Sequence, residues 1–414
     1  MLLFGVGVIA YLQQRGITVA SVQIMPQLGI SQMHIGWLEE AFIVGYALMQ
    51  FPGGVLGQRL GARRTFVLIG VVAFACALAL PLAPLVASGV VLFAILLLSQ
   101  LLLGLAQGPI FPVSTGVFQV WFPARRWAFV VGLQTVGLHV AEIVAPPLTA
   151  TLMVALGWQW ALILLTLPAL PLILWWGWYG RNTPAEHPAV SSAELAELGA
   201  NLSARVDSSI SWPRIAVLLR NRDVLALTVS YFFLNYVYYL IANWCFLYLV
   251  QQRHFGVLDS GWLAAIVPVG GAIGAGLGGY LADGLAVRYG VRTGMRVVPL
   301  LALPAAGVLL LITEGAANPY LAVAALCVCF ALIELTEGPY WGAVMHIAGA
   351  DSMAASGLFN TGGNAGGIVA TPIIAWLSGQ QAWTACFLIG AACAAASALF
   401  WLPVDPARRL ARAA

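Results

Sequence analysis

The sequence has 414 residues, of which 61% are hydrophobic and only 8% charged, and its formal net charge is +3. Soluble domains carry about 25% charged residues, so this chain cannot build a water-exposed globular surface, whereas its apolar share suffices for about twelve membrane spans of ~20 residues each. Those figures exclude a disordered chain, a disulfide scaffold, a nucleic-acid-binding protein and a soluble enzyme.

Apolar runs broken by polar punctuation predict an all-α polytopic membrane protein of twelve transmembrane helices. They centre near residues 12, 47, 77, 103, 140, 168, 236, 273, 304, 333, 365 and 393. The first span carries Gln13, Gln14 and Arg15, too polar for the core of a cleavable signal, so it reads as a retained span. Arg15 falls near mid-membrane, where a charge is costly and is kept for a reason. Its guanidinium stays protonated and offers a planar fork matched to a carboxylate. The functional expectation is an anchor for an anionic substrate; a snorkelling arginine or a structural ion pair are the alternatives. Tyr11, one turn away on the same face, is expected to shape the site.

Tyr46 on the second span is an expected cavity wall, and Glu39 and Glu40 are expected rim residues. The fourth span carries Gln100 and Gln107. On the fifth, His139 and Glu142 stand at i and i+3 and share a face, which suits a proton relay, an ion pair or a helix–helix contact. A metal site needs more ligands than these two supply. A polar segment from about Arg181 to Asp223 follows, with Pro184, Pro188, Ser191 and Ser192. The expected organisation is an N-terminal six-helix bundle (residues 1–182), a cytoplasmic linker (183–221) and a C-terminal six-helix bundle (222–414).

In the second half, Tyr231, Asn235, Tyr239 and Asn243 lie on the seventh span, Glu334, Glu337 and Trp341 on the tenth, and Asn360 and Asn364 on the eleventh. Glu337 occupies the place that Gln107 holds in the first half. An intramembrane carboxyl group can take up and release a proton, so Glu337 is the expected coupling residue, with Glu334 one turn away competing for the role. Asn360 and Asn364 are expected to hydrogen-bond substrate, or to hold adjacent helices together. The third, sixth, ninth and twelfth spans are nearly free of polar groups and should face lipid. The six cysteines lie in apolar runs and read as small core residues.

The halves repeat. Gly36-Trp37-Leu38 recurs as Gly261-Trp262-Leu263, and Gly53-Gly54 as Gly278-Gly279; one shift of 225 residues also carries Gly132, Gly137 and Pro147 onto Gly357, Gly362 and Pro372. Two parallel six-helix repeats leave a cavity between them near the membrane midplane. Sixteen of the eighteen basic residues, all arginines, fall in segments on one side of the predicted spans, which puts both termini and the linker in the cytoplasm.

These residues resemble the Major Facilitator Superfamily, and within it the anion:cation symporter branch. The loop from Gly53 through Gly57-Gln58-Arg59 to Arg63-Arg64 resembles the superfamily's cytoplasmic signature. Gly104-Leu105-Ala106-Gln107-Gly108-Pro109, Trp121-Phe122-Pro123, Tyr11 through Arg15, Asn235-Tyr236 and Gly357 through Asn364 resemble the branch more narrowly. The resemblance implies the two-bundle fold and import of sugar acids or other carboxylates by proton symport, with Arg15 in the place of the branch's anion-binding arginine. Gln14 and Gln107 stand where the branch often has acids, and Gln58 where the signature usually has Asp, which its second-half copy keeps as Asp283.

Together these features lead to a secondary transporter, not an enzyme, that moves a small organic anion by alternating access with the proton as coupling ion. It is expected in the plasma (inner) membrane as a monomer surrounded by lipid, with no cofactor, metal or nucleic acid. Arg15, Tyr11, Tyr46, Gln107, Asn235, Tyr239, Trp341, Asn360 and Asn364 are the expected substrate-binding residues; Glu337, Glu334, His139 and Glu142 are the expected proton-coupling residues. A uniporter, an anion exchanger, an efflux pump and a non-transporting solute sensor are the competing readings.

Overall fold

In a bilayer every backbone polar group must be satisfied within the chain, so long apolar runs fold as helices. The computed structural model describes residues 2–198 and 211–410, and these are helical with no strand among them. The first six crossings are α1 (Leu2–Leu28), α2 (Gln32–Leu60), α3 (Ala62–Leu82), α4 (Gly89–Gln107) continued by α5 (Ile110–Trp121), α6 (Trp127–Leu156), and α7 (Trp158–Thr166) continued by α8 (Ala169–Tyr179). Two short helices, α9 (Ser192–Leu198) and α10 (Trp212–Arg220), lie in the connection. The last six crossings are α11 (Arg222–Gln251), α12 (Val257–Tyr289), α13 (Val291–Gly315), α14 (Pro319–Glu334) continued by α15 (Glu337–Ala348), α16 (Ser352–Gly379) and α17 (Trp383–Trp401).

Among the described residues ten stretches are long and apolar enough to cross a membrane, and one of them, Pro319–Gly379, holds two crossings. With α2, 29 residues long, the crossings number twelve. Arg205 and Arg412, counted above for orientation, lie outside the described residues. Spans 4, 6 and 10 are each broken into two helices, a feature the apolar runs conceal. Pro109 and Pro168 sit at the N-caps of α5 and α8, where the missing proline N–H costs nothing. The break in span 4 falls at Gly108-Pro109, whereas that in span 10 falls at Leu335-Thr336, just before Glu337-Gly338-Pro339, the counterpart of Gln107-Gly108-Pro109.

Spans 3, 6, 9 and 12 expose large apolar side chains, among them Val71, Leu174, Leu301 and Leu399, as surfaces against lipid tails require. In contrast, every residue of α5 from Ile110 to Val120 is buried. The six cysteines are free.

Among the close backbone approaches that join the halves, four are related in pairs by the sequence repeat. A side chain at Gly132 of α6 would strike the carbonyl oxygen of Ala275 on α12, and one at Gly357 of α16 would strike that of Gln50 on α2. The 225-residue shift turns the first pair into the second. It likewise turns the Gly54–Met353 approach into the Gly279–Ala128 approach. A pseudo-twofold axis therefore runs between the bundles, and only glycine permits the packing at these crossings.

All four approaches lie on the arginine-rich half of the molecule. Polar links reinforce them there. Asp283 accepts from the backbone N–H groups of Ala128 (3.3 Å) and Phe129 (2.8 Å) at the start of α6, a carboxylate on a helix N-terminus. In the matching place of the first half, Gln58 donates to Asp351 at 2.8 Å, and Arg214 of α10 also reaches Asp351 at 2.9 Å. Gln119 donates to the carbonyl of Met345 and accepts from Ser352. The bundles thus meet on the arginine-rich face and part toward the opposite one.

Candidate functional site

Between the bundles lies a central cavity of about 110 Å³, walled by α1, α2, α5, α6, α11, the α14–α15 break and α16. A wider vestibule of about 470 Å³ carries residues such as Thr18, Glu39, Asn243 and Thr371, all on the parts of their helices away from the arginine-rich face. Gln14, Phe42 and Ile43 line both spaces. The cavity is therefore sealed beneath and open above.

The cavity wall includes Tyr11, Tyr46, Asn235, Tyr239, Trp341, Asn360 and Asn364, together with His139, Glu334 and Glu337. Arg15 lines the vestibule where it meets the cavity. Residues from six different spans therefore converge on one connected space. The rotations of α1 and α16 explain part of this. Tyr11, Gln14, Arg15 and Thr18 fall on one face of α1 at helical spacing, and Asn360 and Asn364 are one turn apart on α16.

Gln107 is the exception. It points into the N-terminal bundle and donates to Gln13 at 2.9 Å, with both amides buried. The reading of Gln107 as a substrate ligand is thus not matched by its position. It holds the depth of Glu337 in the repeat, but α4 turns the side chain toward α1 within its own bundle instead of toward the cavity.

A continuous polar chain crosses from one bundle to the other. Arg15 Nη2 meets Glu142 Oε1 at 2.8 Å, Glu142 Oε2 meets His139 Nδ1 at 3.0 Å, and His139 Nε2 meets Glu334 Oε2 at 3.0 Å. His139 is fully buried, the two glutamates nearly so, while the Arg15 side chain keeps 31% exposure. The structural-pair alternative for Arg15 is therefore realised on one side of its guanidinium, and the vestibule adjoins the other. Tyr238 donates to Glu142 at 3.4 Å from the second bundle.

Glu337 stands apart from that chain. Its Oε2 accepts from Tyr231 Oη at 3.0 Å and from Trp341 Nε1 at 2.9 Å, and no hydrogen bond joins it to His139 or Glu334 among the described residues. Tyr231 and Tyr238 are seven residues apart on α11, about 10 Å of helix rise. Because α11 climbs from the arginine-rich face, the Arg15–Glu142 pair lies near the mouth and Glu337 at the floor.

Asn360 donates to Gln50 at 2.9 Å, tying α16 to α2, while Asn364 and Asn235 donate to backbone carbonyls one turn back on their own helices. The latter two amides are thus oriented by their own helices. Sequence reading did not assign Gln50 or Tyr238 a part here. An amide within an apolar span signals Gln50, but within Tyr236-Val237-Tyr238-Tyr239 no pattern tells which ring turns inward. Among the described residues no group of three or more histidine, cysteine or acidic side chains could hold a metal.

Known proteins show the same architecture. A family model of the Major Facilitator Superfamily matches residues 3–361. The chain is 26% identical over 96% of its length, and 91% of the relative's, to a probable sulfoacetate transporter of Cupriavidus necator. It is 27% identical over 90% of its length, and 84% of the relative's, to a probable galactarate/D-glucarate transporter of Escherichia coli. The crystal structure of the transporter FucP in the outward conformation superposes with a TM-score of 0.73 at 16% identity, covering 97% of each chain.

Proposed function

The chain belongs to the Major Facilitator Superfamily, a family of multi-pass membrane transport proteins, and from that premise we propose that it carries a small organic anion by proton symport. The names of the relatives, transporters for sulfoacetate and for galactarate or glucarate, support a carboxylate-bearing cargo. The arginine-rich side is taken as cytoplasmic, with both termini there, in the plasma (inner) membrane of the cell. The cavity then opens outward and is poised to load. Residues 1–182 and 222–414 rock about it as two bundles, with 183–221 connecting them.

The observation that carries this reading is Arg15, a guanidinium beside an open vestibule and bound on one side only, to Glu142 at 2.8 Å. A substrate carboxylate arriving from the vestibule competes with Glu142 for the same fork. Once displaced, Glu142 loses its cationic partner while still bonded to His139, and a proton on the Glu142–His139–Glu334 set restores the balance. Substrate and proton then favour each other's binding, which is the thermodynamic content of symport. On this reading coupling runs through the chain centred on His139, and Glu337 contacts cargo instead of carrying the proton.

Reconstitution tests it. Proteoliposomes with an inwardly directed proton gradient should accumulate a labelled sugar acid above its outside concentration, and collapse of the gradient should abolish the accumulation. Uptake indifferent to the gradient would rule out symport and leave uniport or exchange.

A further inference from the structure

The cavity has an unusual charge arrangement for an anion site. Among the described residues Arg15 is the one arginine that lines either the cavity or its vestibule, whereas Glu39, Glu334 and Glu337 line them and Glu142 is bonded to Arg15 itself. His139, the imidazole in the cavity wall, has both nitrogens committed to glutamates. One guanidinium therefore serves the mouth of the site, and no cation serves the floor.

What the floor offers is a carboxylate in a ring of aromatic side chains. Glu337 accepts from Tyr231 and Trp341, and Phe359 stacks on Tyr231 at 4.2 Å between centroids. An acceptor so placed takes hydroxyl donors, and no cation stands there to pair a second anion. Tyr238, which bonds the Arg15 partner Glu142, and Tyr231, which bonds Glu337, lie about 10 Å apart along α11, the length scale of an extended sugar acid.

We propose that the site is selective for cargo with a single anionic group, carboxylate at Arg15 and hydroxyl at Glu337, and that it discriminates against dianions of the same carbon skeleton. This rests on the organic-anion reading above and narrows it. Glu337 acts here as the residue that sets specificity at the far end. A dicarboxylate bound in the same pose buries its second carboxylate against Glu337, with Glu334 close by and no cation to pair it.

Matched acids test the proposal. Galactonate and galactarate, and gluconate and glucarate, differ only in whether the far terminal carbon is an alcohol or a carboxylate. Each is titrated against the purified protein, with the rise in unfolding temperature as the measure of binding. Each monocarboxylate that binds should do so about tenfold more tightly than its dicarboxylate partner, or better. A dicarboxylate bound as tightly as its partner overturns the proposal and leaves the carrier reading standing. Failure of all four, and of a wider panel of monocarboxylates, overturns both. In Glu337→Gln, an amide that can donate to the second carboxylate, the gap within each pair should narrow. An unchanged gap in a folded Glu337→Gln protein overturns the role of Glu337.

Discussion

Arg15 of α1 and Glu142 of α6 meet at 2.8 Å, yet the arginine keeps 31% of its side chain exposed while the glutamate keeps 7%. The asymmetry separates two functions of one pair. Glu142 holds the guanidinium in place from the protein side, and the exposed edge remains for cargo. Arg15→Ala should therefore cut carboxylate uptake by about 100-fold or more and also destabilise the protein by about 1–3 kcal/mol, because it strands a buried carboxylate. Arg15→Ala with Glu142→Gln should recover most of that stability and none of the uptake. Flux restored in the double variant would reduce Arg15 to a structural residue.

Proton coupling is expected to follow the hydrogen-bond chain instead of the most conspicuous acid. His139 spans the bundles, bonded to Glu142 on its own helix and to Glu334 across the gap. His139→Gln should leave downhill exchange of cargo measurable but remove its response to an imposed proton gradient. Glu337→Gln should keep that response while shifting the apparent affinity for cargo. If the gradient response disappears with Glu337→Gln and survives His139→Gln, coupling runs through the floor of the cavity and the assignment is reversed.

The twelve spans, the repeat and the polar character of spans 1, 7 and 10 could be read directly, because the cost of burying polar groups in lipid marks apolar runs and their exceptions. The place of Arg15 along its span was legible too, since it falls at the middle of α1 (Leu2–Leu28). Rotation was not. Gln107 and Glu337 occupy equal depths in the repeat, but the first faces Gln13 inside one bundle and the second faces the space between bundles. Partners distant in sequence were hidden as well, since nothing near Arg15 points to a glutamate 127 residues away or near Asn360 to Gln50. The breaks in spans 4 and 6 escaped because a proline at a helix N-cap leaves the apolar run intact.

The resemblance of residues 53–64 to the superfamily signature suggests an acid where Gln58 stands, near the end of α2, and the structure explains why an acid is unsuited there. Gln58 donates to Asp351 at 2.8 Å, a bond that a carboxylate cannot make. Gln58→Asp puts two like charges in contact, partly offset by Arg214 on Asp351. The expected outcome is a loss of about 1–2 kcal/mol, read as a fall of a few degrees in unfolding temperature. Asp351→Asn added to it should return most of the loss. Stabilisation by Gln58→Asp alone would mean that the first half works as Asp283 does in the second.

The paired glycine approaches make a prediction that single-site reasoning would miss. Gly132 against Ala275 and Gly357 against Gln50 are one contact occurring twice, so leucine at either position should have the same effect. Each side chain wedges a bundle from its neighbour on the arginine-rich face, where the molecule is closed, and leaves the vestibule on the other face untouched. The closed seal is lost, and the population should move toward the arrangement open on the arginine-rich face. A cysteine introduced at Thr18, exposed in the vestibule, reports this in a background without native cysteines. Its labelling by an impermeant thiol reagent from outside should slow in Gly132→Leu and in Gly357→Leu alike, with transport lost in both. Slowing in only one of them would show that the two interfaces bear unequal loads despite their matching geometry; slowing in neither, with flux intact, would show that these crossings do not hold the closed face shut.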